Sequence, residues 1–351
     1  MSGDQRPQRL GILAGVAGVA ALGAVTIGGV ARNLTRRPSG RADPNAEENF
    51  RTIYSDRASI VTADDAVPLA VREVGPPDAP VTVVFSHGFT MRLSSWHFQR
   101  RRLEEVWGDR VRLVFFDHRG HGKSGAAPAH TATIAQLGAD IATVIRAVVP
   151  DGPVVLVGHS MGAMAIMGLA TRRPELFGDK IIGVGLIATA AKGITEAGLG
   201  QGLQNPLIDA FRYSVRTAPR AVQAGRGVTR VIMSPMFTAA AFGSTFHSPA
   251  TSAFVSAMIQ STPIDTVVNF LRSLESHDET GALPVLARIP TVVACGYEDK
   301  LTPLPNSVDL HAALPGSELV GVPDCGHLVL LERPAVVTDA IERLVQRSVA
   351  P

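Results

Sequence analysis

A serine becomes a nucleophile when the chain holds it in a tight turn, gives it a base and orients that base with an acid. Gly158-His159-Ser160-Met161-Gly162 has the pattern for such a turn, entered by the apolar run Val154–Val157 and left by an apolar helical stretch. A strand-to-helix turn this tight strains the serine backbone and leaves room only for glycine at 158 and 162. It would present the Ser160 hydroxyl at the C-terminal edge of a sheet, with helix N–H groups behind it. Downstream, Gly296-Tyr297-Glu298-Asp299 closes an apolar run with two carboxylates, and Pro323-Asp324-Cys325-Gly326-His327 follows the last such run. Of the ten histidines, His327 alone lies between the final run and a terminal helical pattern, which makes it the expected base. Asp299 is the preferred orienting acid, with Glu298 beside it and Asp324 as a rival. Acyl transfer also needs two N–H donors aimed at the developing oxyanion. Met161, directly after Ser160, would supply one. Phe89, after Ser86-His87-Gly88 at the end of an early apolar run, would supply the other.

Two further histidines lie in Asp117-His118-Arg119-Gly120-His121-Gly122-Lys123-Ser124. A metal centre would need a third ligand from elsewhere, to which nothing in the sequence points. The alternation of glycine and charge after an apolar run reads instead as a rigid turn closed by an internal Asp–Arg pair. His87 reads as a buried, hydrogen-bonded loop residue rather than a second base.

The elements that must position these residues alternate. Ala58–Val61 and Leu69–Val74 flank Ala63-Asp64-Asp65 as an antiparallel hairpin. Val81–Ser86, Val111–Asp117, Val154–Gly158, Ile181–Ala188, Thr291–Cys295 and Glu318–Val322 are short runs without polar alternation, as suits strands buried on both faces of a parallel sheet. Helical patterns span Ser94–Trp107, with Ser94 as N-cap, Ile134–Val149, Met161–Arg172 and Pro334–Gln346. The alternation predicts a doubly wound α/β core. Between about 191 and 281 no buried strand run occurs, only helical patches at Ser252–Ile259 and Ile264–Leu274. That stretch reads as a helical lid inserted between two strands. Its Met233, Met236, Phe237, Phe242, Phe246, Phe254, Met258 and Phe270 would either pack the lid itself or line an apolar acyl pocket.

The first fifty residues differ. Leu10–Val30 is 21 residues without charge, with Thr26 its only polar side chain. As a helix it would reach about 31 Å, against a hydrocarbon core of about 30 Å. An uncleaved membrane anchor is the expected reading. Export after cleavage at Gly29-Val30-Ala31 is the alternative. Arginines flank the segment on both sides and are more numerous after it, which by the positive-inside rule would leave the following domain in the cytoplasm. Residues 35–50 form a polar linker. In the whole chain of 351 residues, 46% are hydrophobic and 18% charged, which excludes a disordered protein. The net charge of +2, without basic runs interleaved with aromatics, argues against a nucleic-acid partner. Two cysteines exclude a disulfide scaffold or a Cys-rich zinc site.

Together His87-Gly88-Phe89, the Asp117–Ser124 segment, Gly158–Gly162, Gly296–Asp299 with Pro303, and Gly326-His327 resemble the α/β-hydrolase fold superfamily over about residues 51–350. Among its members, the chain looks most like esterase, lipase-like and non-haem haloperoxidase-like proteins. The resemblance implies an α/β-hydrolase fold: an eight-stranded, mostly parallel sheet with helices on both faces, a cap after the sixth strand and no cofactor. It also implies the order serine, acid, histidine that Ser160, Asp299 and His327 follow. Epoxide hydrolases and haloalkane dehalogenases are similar but use aspartate where this chain has Ser160, and the lipase-type HGGG loop is replaced by His87-Gly88-Phe89-Thr90. The expected activity is hydrolysis of carboxylic esters or thioesters of a small to medium apolar acyl substrate through an acyl-enzyme. The alternatives are a C–C bond hydrolase, acyltransferase or perhydrolase on the same fold, or a non-catalytic receptor. The sequence leaves the oligomeric state open.

Overall fold

The protein is described by a computed structural model covering residues 42–194, 238 and 241–350. Eight strands form one sheet: β1 (Arg57–Thr62), β2 (Pro68–Val74), β3 (Val81–Ser86), β4 (Val111–Phe116), β5 (Val154–His159), β6 (Ile181–Ile187), β7 (Thr291–Gly296) and β8 (Glu318–Val322). Their spatial order is β1-β2-β4-β3-β5-β6-β7-β8. The β1–β2 and β2–β4 pairs are antiparallel, and every other pair is parallel. All residues of β3, β4, β5 and β7 are buried. That explains runs of Val, Leu and Phe with no polar alternation: both faces of these strands meet helices.

One face is covered by α2 (Ile134–Val148) and α3 (Met161–Arg172), the other by α1 (His97–Trp107) and α7 (Pro334–Val349). The neighbours Phe115 and Phe116 of β4 belong to opposite cores, as the two-residue strand period requires. Thr133 caps α2 by accepting the Gln136 N–H at 3.1 Å. Ser94 plays no such part for α1. It lies in a 3₁₀ turn, Leu93–Trp96, and the α-helix begins only at His97. A further helix, α6 (Leu304–Ala313), follows Pro303 without having been anticipated from the sequence.

Between β6 and β7 the described part of the long insertion includes α4 (Pro249–Ser261) and α5 (Ile264–Glu275). Its two ends meet. Lys192 and Asp278 form an isolated antiparallel bridge, and Glu279 N–H donates to the Ala191 carbonyl at 2.8 Å. Phe270 and Met258 are buried in the main cores, and Phe242 stacks on Phe246 with centroids 4.5 Å apart, so these side chains serve packing. Met233, Met236 and Phe237 lie outside the described residues, as does Leu10–Val30. No helix among the described residues is long and apolar enough to cross a membrane.

Candidate active site

Ser160 stands at the N-cap of α3, directly after β5, with φ 52° and ψ −120°. A non-glycine residue rarely holds this conformation, so the surroundings must impose it. They do so through the backbone. Ser160 N–H donates to the Ile187 carbonyl of β6 at 2.9 Å, and its own carbonyl accepts from Ala163 N, Met164 N and Thr189 Oγ1 at 3.0, 3.1 and 3.1 Å. The two flanking glycines are required sterically. A Cβ on Gly158 would lie 2.6 Å from Ala163 Cα, and one on Gly162 would lie 2.6 Å from the Ser86 carbonyl carbon and 2.7 Å from the His87 oxygen. The elbow therefore sits flush against the end of β3. Gly88 continues that contact: a Cβ there would be 3.3 Å from Ser160 Cβ. Among the described residues neither Phe89 N–H nor Met161 N–H has a hydrogen-bond acceptor; Met161 directly follows Ser160, and Phe89 directly follows Gly88, which packs against Ser160.

His327 and Asp299 form a pair across two loops. His327 Nδ1 is 2.9 Å from Asp299 Oδ2, and both residues are buried. Asp299 also accepts Leu301 N–H and Thr302 N–H on Oδ1 at 2.8 and 2.9 Å, and Thr302 Oγ1–H on Oδ2 at 2.9 Å. Burial would raise its pKa, but the facing imidazole and these hydrogen bonds hold it below the usual carboxylate range. Thr302, which also lies 3.4 Å from His327 Nδ1, was not singled out from the sequence. The only local signal was its place three residues beyond Asp299, the second of the strand-end carboxylates.

Glu298 faces elsewhere, and Asp324 is exposed to solvent, whereas Asp299 and His327 are buried. Glu298 accepts Ser244 N–H and Ser244 Oγ–H, and thereby ties the insertion to the β7 loop. The Asp324 carbonyl accepts from Arg333 at 3.1 Å, and its φ is 51°. His327 is placed next to the elbow through His159, whose Nε2–H donates to the His327 carbonyl at 3.0 Å while the two rings lie 4.9 Å apart. Ser160 Oγ and His327 make no hydrogen bond with each other.

Behind the β3 loop lies a cluster of buried histidines. His87 and His118 have ring centroids 4.7 Å apart, His87 and His121 5.4 Å. His87 Nδ1–H donates to the Gly88 carbonyl at 2.8 Å, and its Nε2 accepts His118 N–H at 3.0 Å. His121 Nε2 accepts Thr90 N–H at 3.2 Å. Burial pushes His118 down to about 3 and His121 to about 4, and holds His87 well below its ordinary value. All three are thus neutral props of the loop that carries Phe89. The expected Asp117–Arg119 pair does not form. Asp117 accepts Leu93 N–H and Lys123 N–H, both at 2.8 Å, while the fully buried Arg119 reaches outward to Asp140 and Asp65. The turn is closed by backbone donors because an arginine two residues on points away from the carboxylate it follows.

A family model, the alpha/beta hydrolase family, matches residues 83–340. The chain belongs to the alpha/beta hydrolase family. The curated relatives of this alpha/beta hydrolase include RutD of Klebsiella pneumoniae, provisionally named a carbamate hydrolase. It is 27% identical over 254 residues, which cover 72% of this chain and 85% of RutD. Among solved structures, the esterase EaEST from Exiguobacterium antarcticum superposes with a TM-score of 0.67 at 21% identity, covering 83% of this chain and 100% of the esterase. The enol-lactonase from Burkholderia xenovorans gives 0.67 at 22% identity, covering 82% and 100%. Structural likeness at such identity establishes the fold and leaves the substrate to be argued from the site.

In this alpha/beta hydrolase the insertion leans on the same loops. Thr262 Oγ1 donates to the Thr90 carbonyl at 3.3 Å, and Thr266 Oγ1 to the Gly120 carbonyl at 3.2 Å. Leu328 N–H donates to the Ala241 carbonyl at 3.1 Å. Glu332 accepts Gly243 N–H at 2.8 Å and Gly326 N–H at 2.9 Å, so one buried carboxylate joins the insertion to the residue before His327. Burial pushes that carboxyl up to about 7 despite the two donors.

Proposed function

We propose that this alpha/beta hydrolase is a serine hydrolase that cleaves carboxylic ester or thioester bonds through an acyl-enzyme. The carrying observation is the strained Ser160, the Phe89 and Met161 N–H donors without an acceptor among the described residues, and the His327–Asp299 pair tied to the same turn. In this reading Ser160 Oγ attacks the carbonyl carbon and His327 Nε2 takes its proton. The oxygen, now negative, is held by Phe89 and Met161 N–H, each donor contributing on the order of 10²- to 10³-fold to the rate. Collapse of the tetrahedral species expels the alcohol or thiol, which takes the proton back from His327. Water repeats the sequence to release the acid. Asp299 fixes the Nδ1–H tautomer and stabilises the imidazolium.

Residues 191–281 act as a lid, on the ground that the described part touches the Thr90, Gly120 and Gly326 loops around Ser160. The substrate is a small to medium apolar acyl compound, and no cofactor takes part. Residues 51–350 are the hydrolase domain, and Leu10–Val30 attaches it to a membrane, a reading that rests on the apolar sequence alone. A series of p-nitrophenyl esters from two to eight acyl carbons, with fluorophosphonate labelling of wild type and Ser160→Ala, tests the proposal. Labelling of the wild type alone, with activity rising beyond acetate, is expected. A wild type that takes no label contradicts the serine assignment, and activity falling steadily with chain length contradicts the apolar acyl preference.

A further inference from the structure

A cavity of about 350 Å³ opens between the N-terminal segment, the β3–α1 loop, the Asp117–Ser124 turn and α4. That is within the range of small-molecule sites. None of Ser160, Asp299 and His327 lines it. Three cations do: Arg51, Arg92 and Lys123, each from a different segment. No carboxylate lines the cavity, and none of the three makes an ion pair among the described residues. Arg92 donates to the Ser261 hydroxyl, and Lys123 Nζ sits 4.6 Å from the Tyr54 ring centroid, the distance of a cation–π contact. Apart from the hydroxyls of Tyr54 and Ser94, the rest of the wall is apolar. Phe50 stacks on Phe254 with centroids 4.2 Å apart and planes 9° apart, which presents a flat aromatic surface beside the charges.

Three cations without an ion pair among the described residues, of which Arg92 alone is drawn by the buried Asp117, set against a largely apolar wall, are matched by a ligand carrying one anionic head on an apolar body. We infer that this cavity binds an amphipathic anion, a carboxylate or phosphate on an aliphatic or aromatic body. Its head is held by Arg51, Arg92 and Lys123 and its body lies along Phe254. Arginine and lysine both serve such heads, arginine through a planar fork and lysine as a point charge. The cavity shares the β3–α1 loop with the candidate active site: Arg92 is three residues beyond Phe89. The inference does not depend on Ser160 being the nucleophile.

Calorimetric titration of the full chain with octanoate, octyl phosphate, octanol and acetate tests it. At least one of the two amphipathic anions should bind, and the one that binds more tightly identifies the head as carboxylate or phosphate. Octanol, lacking the charge, and acetate, lacking the body, should each bind at least about tenfold more weakly, the scale of one lost charge-assisted hydrogen bond. The double variant Arg51→Ala/Lys123→Ala should weaken the preferred anion by a similar factor, and Phe254→Ala should weaken it without restoring octanol. Octanol binding as tightly as the anions would overturn the inference. So would anion binding that the double variant leaves unchanged, since the ligand would then sit elsewhere, or no binding of either anion.

Discussion

His159 offers a test of how His327 is held, because its ring does one identifiable thing. Burial pushes its pKa down to about 3, so above about pH 5 it is neutral. Its Nε2–H donates to the His327 carbonyl at 3.0 Å, and its Nδ1 is buried without a partner among the described residues. Phenylalanine keeps the ring and deletes the donor. Loss of a hydrogen bond to a buried carbonyl costs about 1–3 kcal/mol. Removing the unpartnered Nδ1 offsets part of that, so His159→Phe should destabilise the protein by only about 1 kcal/mol. The effect on rate should be larger. His327 would lose its tie to the elbow, and a misplacement of about 1 Å costs on the order of 10²-fold in kcat. His159→Gln, whose amide N–H can stand where Nε2–H stood, should recover most of it. Purified wild type and both variants would be compared for kcat, KM and Tm on one p-nitrophenyl ester. A kcat for His159→Phe within about threefold of wild type, equal to that of His159→Gln, would refute the positioning role, since threefold is well short of the 1.4 kcal/mol that a tenfold change represents.

Gly162→Ala would drive a methyl group into the Ser86–His87 backbone, so it should lose about 1–3 kcal/mol to overpacking. It should also lose most ester hydrolysis by pushing the elbow from the β3 loop; unchanged urea unfolding and activity would contradict that close approach. Glu332, raised from its ordinary 4.5 to about 7, keeps a proton in the folded state between those pH values that the unfolded chain has released. Unfolding free energy should therefore fall as pH rises through that window, by at most about 3 kcal/mol, and level off above it. Glu332→Gln should flatten the profile measured by urea unfolding from pH 4.5 to 8, and an unaltered slope would contradict the assignment. Asp140→Asn should cost about 3 kcal/mol, the lower end for breaking a buried pair because Asp65 still faces Arg119. A loss below about 1 kcal/mol in the same assay would show that Asp65 suffices.

The central strands were legible because burial on both faces writes itself as unbroken apolar runs. β8, like β3, begins and ends at the residues expected, but as an edge strand it is mostly half-buried rather than buried on both faces. Met161–Arg172 was legible for a related reason, being bounded by the strained turn before it and Pro174 after it. What escaped depended on partners distant in sequence. Ser94 has the chemistry of an N-cap, but tertiary packing pulls it into a buried turn. Asp117 and Arg119 have the charges of a pair, yet each finds a better partner from another element. Thr302 gains its place only because the chain folds back beneath Asp299. Glu332, in the turn after His327, carried no motif, and its role comes from two backbone N–H groups brought together by the insertion. Asp299 was already preferred over Glu298 in the sequence; the structure adds that Asp299 faces His327 while Glu298, after the same strand, turns to Ser244.

The most direct measurement is hydrolysis of a p-nitrophenyl ester by purified, folded Ser160→Ala beside wild type and His327→Ala. If the three residues act as a unit, either change should lower kcat by a factor on the order of 10⁴ to 10⁶, and the double variant should be little worse than either single one. If folded Ser160→Ala keeps more than about a tenth of wild-type activity, a loss of under about 1.4 kcal/mol, Ser160 is not the nucleophile.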